Sequence, residues 1–161
     1  MIRVQQEDFD IGRELAALTA GNHAIGGVAA FVGLVRDHVG EKGAGDSAIS
    51  AMTLEHYPAM TEKMLTEIEA EASARWPLEA SLVIHRYGRL EPGDQIVMVA
   101  TASAHRQAAF EACAFLMDWL KTKAPFWKLE ETGEGAQWVD ARDSDDKAAA
   151  RWTKRDPDAA E

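Results

Sequence analysis

Three lysines and two large aromatic residues lie within one short stretch of the chain, residues 121–128, which has the sequence KTKAPFWK. Lysine side chains bind anionic oxygens and transfer protons, and aromatic walls that exclude water lower the pKa of an amine. One explanation is purely structural, since lysines in the last turn of a helix interact favourably with its dipole. It accounts for Lys121 and Lys123 but leaves out Lys128, which follows the proline and both aromatic residues. A functional site is the alternative explanation.

A candidate anion ligand lies nearer the start of the chain, where an apolar run ends in Arg36. The run Ile25 to Val35 contains β-branched residues and predicts a buried strand, and Gly26, Gly27 and Gly33 indicate bulges or close approach of backbones. Side chains that bind ligands are common at strand ends and in the loops that follow them. Arg36 is thus either part of a binding site or an ordinary surface arginine.

A second group of cationic side chains, His105 and Arg106, lies at the predicted start of a long helix. Apolar residues recur at helical spacing from Ala104 to Lys123, and Ser103 is a suitable N-cap. Cations at this end oppose the helix dipole, so the pair is unfavourable unless an anion binds there. Free N–H groups at a helix N-terminus add to that attraction. The pattern predicts a phosphate or carboxylate site.

Length, composition and charge limit the class of protein. The chain has 161 residues, of which 47% are hydrophobic, enough for one domain with a substantial core. We expect a single domain over residues 1–152 and a polar tail over 153–161. The formal net charge of -10 argues against a protein that binds nucleic acid by neutralising phosphates. Any anionic ligand is therefore expected to be small and locally bound.

Cysteine use and hydropathy limit the cellular setting. The one cysteine, Cys113, lies on the apolar face of the predicted long helix, which leaves no disulfide framework and no CxxC metal site. We expect neither a metal nor a cofactor. No apolar run approaches the length of a membrane span, and the N-terminal residues lack the apolar core of a signal peptide. These features predict a cytoplasmic protein.

The remaining elements follow from hydrophobic periodicity and turn residues. Strands are predicted at residues 1–5, 49–56, 81–90 and 95–101, the last two joined as a hairpin by the Pro-Gly turn at 91–94. Further helices are predicted at residues 11–18, 58–75 and 145–152, and short extended pieces at 129–132 and 137–141. The glycine-rich segment 39–48 predicts a loop.

Three side chains within these elements carry specific expectations. Phe110 is assigned to the apolar face of the long helix, and Met60 to the buried face of the helix at 58–75. His85 lies in a predicted strand, where a lone histidine is usually a hydrogen-bonded structural residue. Contact of His85 with a ligand or partner is the alternative.

Six motifs occur in order along the chain: FVGLVR at 31–36, LEHYPAM at 54–60, HRYG at 85–88, PGD at 92–94, SAHR at 103–106 and KTKAPFWK at 121–128. In this order they closely resemble the large, catalytic subunit family of molybdopterin synthase, known as MoaE. The resemblance covers roughly residues 26–152 with few gaps. Six ordered motifs are far more specific than any one of them alone.

The resemblance implies both a fold and a reaction. The implied fold is α+β, with a hammerhead-type antiparallel β motif and a long core helix. Two such chains form a homodimer, and a small ubiquitin-like sulfur-carrier subunit at each end completes a heterotetramer. The implied reaction is a sulfur transfer of molybdenum cofactor biosynthesis, which converts cyclic pyranopterin monophosphate to the dithiolene molybdopterin. The sulfur arrives as a C-terminal Gly-Gly thiocarboxylate on the small subunit.

Matching the motifs position by position implies roles for individual residues. Lys121 and Lys128 match the family's essential lysines and are the implied catalytic residues. The implied substrate-binding residues are Leu34, Val35, Arg36, His105, Arg106, Lys121, Lys128, Leu129 and Glu130. Leu34 departs from the family pattern, because members often carry a basic residue there.

The implied chemistry agrees with the residues present. A thiocarboxylate is itself the nucleophile, so the enzyme needs no cysteine, and lysines can stabilise charge and transfer protons. The alternative from another class is a non-catalytic module that binds a partner's C-terminal carboxylate in the same cationic pocket. That alternative leaves His105 and Arg106 without a role. A phosphate-ester hydrolase is disfavoured, because the sequence has no metal-ligand cluster or activated nucleophile.

The length of the predicted helix leads to an expectation about assembly. Arg106 and Lys121 are fifteen positions apart, which places their backbones about 22 Å apart along a continuous helix. A pterin monophosphate is only about half that long, judged against the same helical rise. The resemblance implies that both groups bind the same substrate, and on that basis we predict a two-fold dimer in which His105 and Arg106 of one chain reach the pocket that Arg36, Lys121 and Lys128 form in the other.

Overall fold

The computed structural model describes residues 1–37, 48–139 and 143–153 of the chain. In chain order its elements are β1 (Ile2–Gln5), α1 (Ile11–Thr19), β2 (Gly27–Leu34), β3 (Ile49–His56), α2 (Pro58–Arg75), β4 (Leu78–Arg86), β5 (Gly88–Leu90), β6 (Gln95–Ser103), α3 (Arg106–Thr122), β7 (Phe126–Thr132), β8 (Gly135–Val139) and α4 (Asp143–Ala150). The predicted loop at 39–48 lies outside the described residues except for its last position, and the predicted tail lies outside them except for its first. None of the described helices is long and apolar enough to span a membrane.

The strands form two four-stranded sheets. The first has the order β1-β4-β6-β2, in which β1 runs parallel to β4 and the other neighbours are antiparallel. The second has the order β5-β3-β7-β8 and is antiparallel throughout. The two sheets and the long helix α3 confirm the α+β fold that the resemblance implied, with the second sheet as its separate antiparallel motif.

The first sheet is covered on both faces, and β6 lies in its interior. Successive residues of a strand point to opposite faces. Val97 and Val99 pack in the core cluster that includes residues of α2 and α3, whereas Met98 and Ala100 pack with Phe9 and residues of α1. Because α3 follows β6 after two residues, this buried strand places the start of the helix.

The buried faces of α2 and α3 are narrower than the sequence predicts. Phe110 is 63% exposed and Met60 is 51% exposed, so their assignment to buried faces was wrong. The buried residues of α3 are Ala108, Ala109, Ala112, Cys113, Phe115, Leu116, Trp119 and Leu120. Phe110 lies on the far side of the helix from this set. Helical spacing identifies apolar rows, but contact with a sheet decides which row is covered.

The predicted strand at 81–90 is in fact two strands in different sheets. β4 pairs with β6 in the first sheet, and β5 pairs with β3 in the second. Gly88, the first residue of β5, has a φ of 88°, a conformation that favours glycine and lets the chain change sheets. The turn at 91–94 is as predicted, since Gly93 has a φ of 95° and the Asp94 N–H donates to the Glu91 carbonyl at 2.9 Å.

Candidate active site

The lysine-rich stretch begins at the C-terminal end of α3, where two lysines differ in their surroundings. Lys121 lies in the last turn and is exposed. Lys123 caps the helix, and its ammonium lies 3.7 Å from the centre of the Trp119 ring, a cation–π contact. Lys123 is therefore held against the side of the helix, whereas Lys121 is open to a ligand.

A tight turn connects α3 to β7. The N–H of Phe126 donates to the carbonyl of Ala124 at 2.8 Å, which closes a three-residue turn around Pro125. The proline also ends the helix, because its ring cannot continue the helical hydrogen bonds. Only five residues separate the helix end from Lys128, so the turn brings the chain directly into the second sheet.

Side chains of β7 alternate between two faces of the second sheet. We call the inner face the one that carries Met52, Leu54, His56, Phe126, Lys128 and Glu130, which are cross-strand partners in β3 and β7. The ammonium of Lys128 lies 2.7 Å from the carboxylate of Glu130 on this face. Trp127 points to the opposite, outer face. Of the two aromatic residues expected to shield Lys128, Phe126 shares its face and Trp127 does not, which is a correction to the prediction.

Val35, the residue before Arg36, packs against the inner face. Val35 is 5% exposed and packs in a buried cluster with Leu54, the cross-strand partner of Lys128. Its N–H donates to the Asp94 carbonyl and its own carbonyl accepts from the Gly93 N–H, both at 2.9 Å. Both backbone polar groups of Val35 are thus engaged, and its side chain packs against Leu54 of β3, the strand that pairs with β7.

The N-terminal end of α3 differs from the prediction at one residue. Ser103 is fully buried in β6, and its hydroxyl donates to the Pro77 carbonyl at 2.8 Å. Its oxygen also accepts from the His105 N–H at 3.4 Å, but Ser103 is the last residue of β6 and lies two positions before the N-cap of α3. His105 takes the N-cap position without a side-chain hydrogen bond, and Arg106 begins the helix. Both cationic side chains are exposed there.

A glycine allows this junction to close, as the sequence predicts for this run. The N–H of Gly26 donates to the Ser103 carbonyl at 3.0 Å. A Cβ atom on Gly26 would lie 2.1 Å from the carbonyl oxygen of Ala104, far inside contact distance. The backbone at the start of β2 therefore packs directly against the residues that lead into α3.

Three predicted cations share an electrostatic property. The side chains of Arg36, Arg106 and Lys121 form no hydrogen bond or ion pair within residues 1–37, 48–139 and 143–153. By contrast, Arg86 and Arg151 are paired with carboxylates. Exposed cations without partners on a protein of net charge -10 are suited to bind small anions.

The structure brings some of the predicted residues together and separates others. Lys128 and Glu130 lie on the inner face of the second sheet, and Lys121 precedes the turn into that sheet. Arg36 follows Val35, which packs against Leu54 of the same face. Arg106 is the first residue of α3 and Lys121 is next to the last. At about 1.5 Å per residue, their backbones are about 22 Å apart along the helix. One chain therefore presents two cationic regions rather than one.

Comparison with known proteins identifies the family. A family model described as MoaE protein matches residues 4–123. The chain belongs to the MoaE family.

Relatives and solved structures agree with this assignment. The molybdopterin synthase catalytic subunit of Ralstonia nicotianae is 58% identical over 151 residues, which cover 94% of this chain and 83% of the relative. The MoaE protein structure from Burkholderia ambifaria is 54% identical, with a TM-score of 0.80 over 96% of this chain and 99% of that chain. A complex of subunits 1 and 2 of molybdopterin-converting factor from Helicobacter pylori shares the fold, with a TM-score of 0.69 at 20% identity over 88% of this chain and 91% of that chain.

Two further residues of the MoaE motifs have side chains away from Lys128. Leu34 is 53% exposed at the end of β2, next to a shift in the pairing with β6. Leu129 points to the outer face, so any contact it makes with a ligand on the inner face would involve its backbone. Glu130 is 7% exposed, and its carboxylate is held by Lys128.

Sequence analysis missed one group of residues beside the MoaE site. The rings of His85 and Phe126 stack with their centres 3.7 Å apart, and His56 lies on the same cluster, 5.7 Å from Phe126. His85 is thus a structural histidine, as expected, but its main partner is the residue that starts β7. Burial lowers the pKa of His85 to about 4. No local pattern signals this contact, because it joins three strands that are distant in sequence.

Proposed function

We propose that this chain is the catalytic subunit of a molybdopterin synthase, which converts cyclic pyranopterin monophosphate to molybdopterin. The observation that carries the proposal is the placement of Lys128 on the inner face of the second sheet, with the exposed Lys121 just before the turn that leads to it. Arg36 directly follows Val35, which packs against Leu54 of that face. Clustered cations on an acidic protein favour a small anionic substrate. The names of the relatives support the same activity. The proposal includes a cytoplasmic location and requires no cofactor.

The residues fit the chemistry of a thiocarboxylate donor. Its sulfur is already a nucleophile, so the protein has to supply positive charge and protons. Arg36 and Lys121 have no carboxylate partner among the described residues and are suited to bind phosphate oxygens. The ammonium of Lys128, oriented by Glu130, is suited to donate a proton to an oxygen that leaves the substrate.

We further propose that the sulfur donor is a small ubiquitin-like subunit that ends in a Gly-Gly thiocarboxylate. Trp127 and Trp138 are 52% and 53% exposed on the outer face of the second sheet, and exposed aromatic residues are typical of protein interfaces. The H. pylori structure that shares this fold is itself a complex of two subunits. In our proposal the tail of the small subunit passes beside Phe126 and Trp127 to reach Lys128.

Hydrogen exchange tests where the tail binds. A small subunit with a carboxylate terminus should protect residues 121–128 from exchange, and its affinity should decrease as salt is added, because opposite charges attract across the interface. A small subunit that lacks its last two glycines is the control and should leave these residues unprotected. Equal protection by both forms would contradict the proposed tail path.

We also propose that two copies of the chain share each site. Val28 and Phe31 on the edge strand β2 are 38% and 43% exposed, and Phe110 on α3 is 63% exposed. Apolar side chains at a sheet edge favour pairing with another chain. A two-fold dimer would allow His105 and Arg106 of one copy to complete the pocket of the other.

Reconstitution distinguishes the enzyme from the alternative, a binding module for a carboxylate tail. The purified chain is mixed with thiocarboxylated small subunit and cyclic pyranopterin monophosphate, and the dithiolene product is measured by mass spectrometry. We expect product only when all three components are present. Tight binding of the small subunit without product would favour the binding module instead.

A further inference from the structure

A stack of aromatic rings includes Phe126, which lies two positions before Lys128 and on the same face of β7. We call His56, His85 and Phe126 the ring stack. Phe126 and His85 are nearly parallel, with an angle of 13° between their planes and 3.7 Å between their centres. His56 is 5.7 Å from Phe126 at an angle of 30°, and Tyr87 lies 4.6 Å from His56. The chemistry described above uses neither histidine ring.

The ring stack joins the two sheets at the point where β7 begins. His85 is near the end of β4 in the first sheet, whereas His56 and Phe126 are cross-strand partners in the second sheet. Phe126 is also the residue whose N–H closes the turn at Pro125. Phe126 and Lys128 are two positions apart on β7, so their side chains leave the strand on the same face.

The chemistry of the rings suits a fixed contact. The Nδ1–H of His85 donates to the Arg86 carbonyl at 2.8 Å, which sets the neutral tautomer of this ring. Burial lowers the pKa of His85 to about 4, and it also lowers the pKa of His56. Both rings are therefore neutral at neutral pH, and a neutral imidazole can stack on a phenyl ring without a desolvated charge.

The surroundings of the ring stack contain few ionisable groups. The strand neighbours of His85 are Val4 on β1 and Val97 on β6, which carry no charge. Arg86 is engaged by the Gln6 carbonyl, Asp8 and the Gln95 carbonyl. Among the described residues on the same face or in ring contact, the other ionisable groups are Tyr87, Lys128 and Glu130.

We propose that the ring stack is a positioning device that holds Phe126 and thereby sets the position of the Lys128 ammonium relative to Lys121. This inference rests on the proposed function, in which Lys128 is a catalytic residue. His56 and His85 act through Phe126 and Lys128 and do not themselves touch the pterin or the tail, whereas Phe126 also lies beside the proposed path of the tail. The physical reason is that a displacement of about 1 Å in a catalytic group can lower a rate by about a hundredfold.

The test compares a ring with an apolar side chain that has no ring. His85→Phe keeps an aromatic ring against Phe126, whereas His85→Leu removes it and retains apolar bulk. We expect kcat of His85→Phe to remain within about threefold of wild type and kcat of His85→Leu to fall at least about tenfold. Phe126→Leu should behave as His85→Leu does. The control His23→Leu removes a histidine from the loop between α1 and β2, outside the ring stack, and should leave kcat unchanged.

Amide NMR spectra at pH 7 supply a readout that does not depend on activity. The signals of residues 126–130 should move in His85→Leu and Phe126→Leu but remain close to wild type in His85→Phe. Normal kcat in folded His85→Leu and Phe126→Leu would overturn the proposal, as would equal losses in His85→Phe and His85→Leu. If the wild-type chain makes no product, the proposed function is wrong. If the signals of residues 126–130 do not move in the leucine variants, the positioning role is wrong, whatever the outcome for the function.

Discussion

The ammonium of Lys128 lies 2.7 Å from the carboxylate of Glu130, two positions further along the same face of β7. The side chain of Glu130 is only 9% exposed, whereas that of Lys128 is 31% exposed. The carboxylate is therefore the more buried partner, and it keeps the lysine oriented towards the inner face. This relationship places a proton donor and its orienting group on one rigid strand.

Removing the lysine from this pair should destabilise the fold through the partner left behind. We expect Lys128→Met to lower the free energy of unfolding by about 1–3 kcal/mol, because the buried Glu130 carboxylate loses its charged hydrogen bond. Adding Glu130→Gln should recover most of that stability without recovering activity. Chemical denaturation measures the free energy of unfolding of the single and the double variant, and the product assay measures their activity. Lys63→Met is the control, since Lys63 pairs with Glu67 on an exposed surface and should change stability by less than about 0.5 kcal/mol. If the double variant does not regain stability, loss of the Lys128–Glu130 pair is not the cause of the destabilisation.

The two candidate catalytic lysines should be distinguishable from their neighbour. We expect Lys121→Ala and Lys128→Ala each to lower turnover by at least about a hundredfold, the usual scale for loss of a proton donor or a charge partner. Lys123→Ala should have only a small effect, because Lys123 contacts the Trp119 ring. Single-turnover assays with thiocarboxylated small subunit measure these rates. Normal turnover by folded Lys121→Ala and Lys128→Ala would place the site elsewhere.

Mixed dimers test whether the site is shared between copies. Arg106→Ala and Lys121→Ala homodimers should each be nearly inactive, because each substitution affects both sites of its dimer. A dimer with one copy of each variant should regain one intact site and about half of wild-type activity, as two-fold symmetry requires. Differently tagged copies allow purification of the mixed dimer. If confirmed mixed dimers stay inactive, the shared-site hypothesis is wrong.

The close contact at Gly26 should be sensitive to a single methyl group. Gly26→Ala would place a Cβ atom 2.1 Å from the Ala104 carbonyl oxygen, so the start of α3 has to move. We expect a loss of about 1–3 kcal/mol in stability and weaker binding of the pterin precursor through His105 and Arg106. Gly133→Ala is a matched control, because no atom lies within 4 Å of its added Cβ. Thermal unfolding measures the stability of both variants, and a binding assay measures their affinity for the pterin precursor. Equal stability and affinity in the two variants would show that the contact at Gly26 is not important.

Burial of His85 should make the fold sensitive to acid. Its pKa is lowered from 6.5 to about 4, mainly by burial, with a smaller contribution from His56. Between these values the unfolded chain binds a proton that the folded chain does not, so stability decreases as the pH falls from 6.5 towards 4. We expect the free energy of unfolding to fall by about 3 kcal/mol across this range because of His85, given about 1.4 kcal/mol per pKa unit. Denaturation curves of His85→Phe should lack this contribution, and those of His23→Phe should keep it. If the stabilities of wild type and His85→Phe depend on pH in the same way, His85 is not the source of the acid sensitivity.

Much of the fold is encoded in local sequence patterns. The bounds of β3, Ile49–His56, and of α2, Pro58–Arg75, are as predicted, because alternation, helical spacing and Pro58 at the first turn act over a few residues. The turn at 91–94 and the end of α3 before Pro125 follow from glycine and proline in the same way. The cationic residues of the candidate site could also be predicted from the sequence, since they lie in short motifs.

The sequence by itself thus determined the identity of most elements, the charged residues of the site and the family resemblance. Only the tertiary structure decided that 81–90 divides between two sheets, that Ser103 holds a strand end, and that Phe110 remains exposed. It also decided that Lys128 faces Glu130 while Trp127 faces away, and that His56, His85 and Phe126 meet. The physical reason is that periodicity specifies which residues share a face, whereas contact between elements distant in sequence decides which faces are covered and which side chains meet.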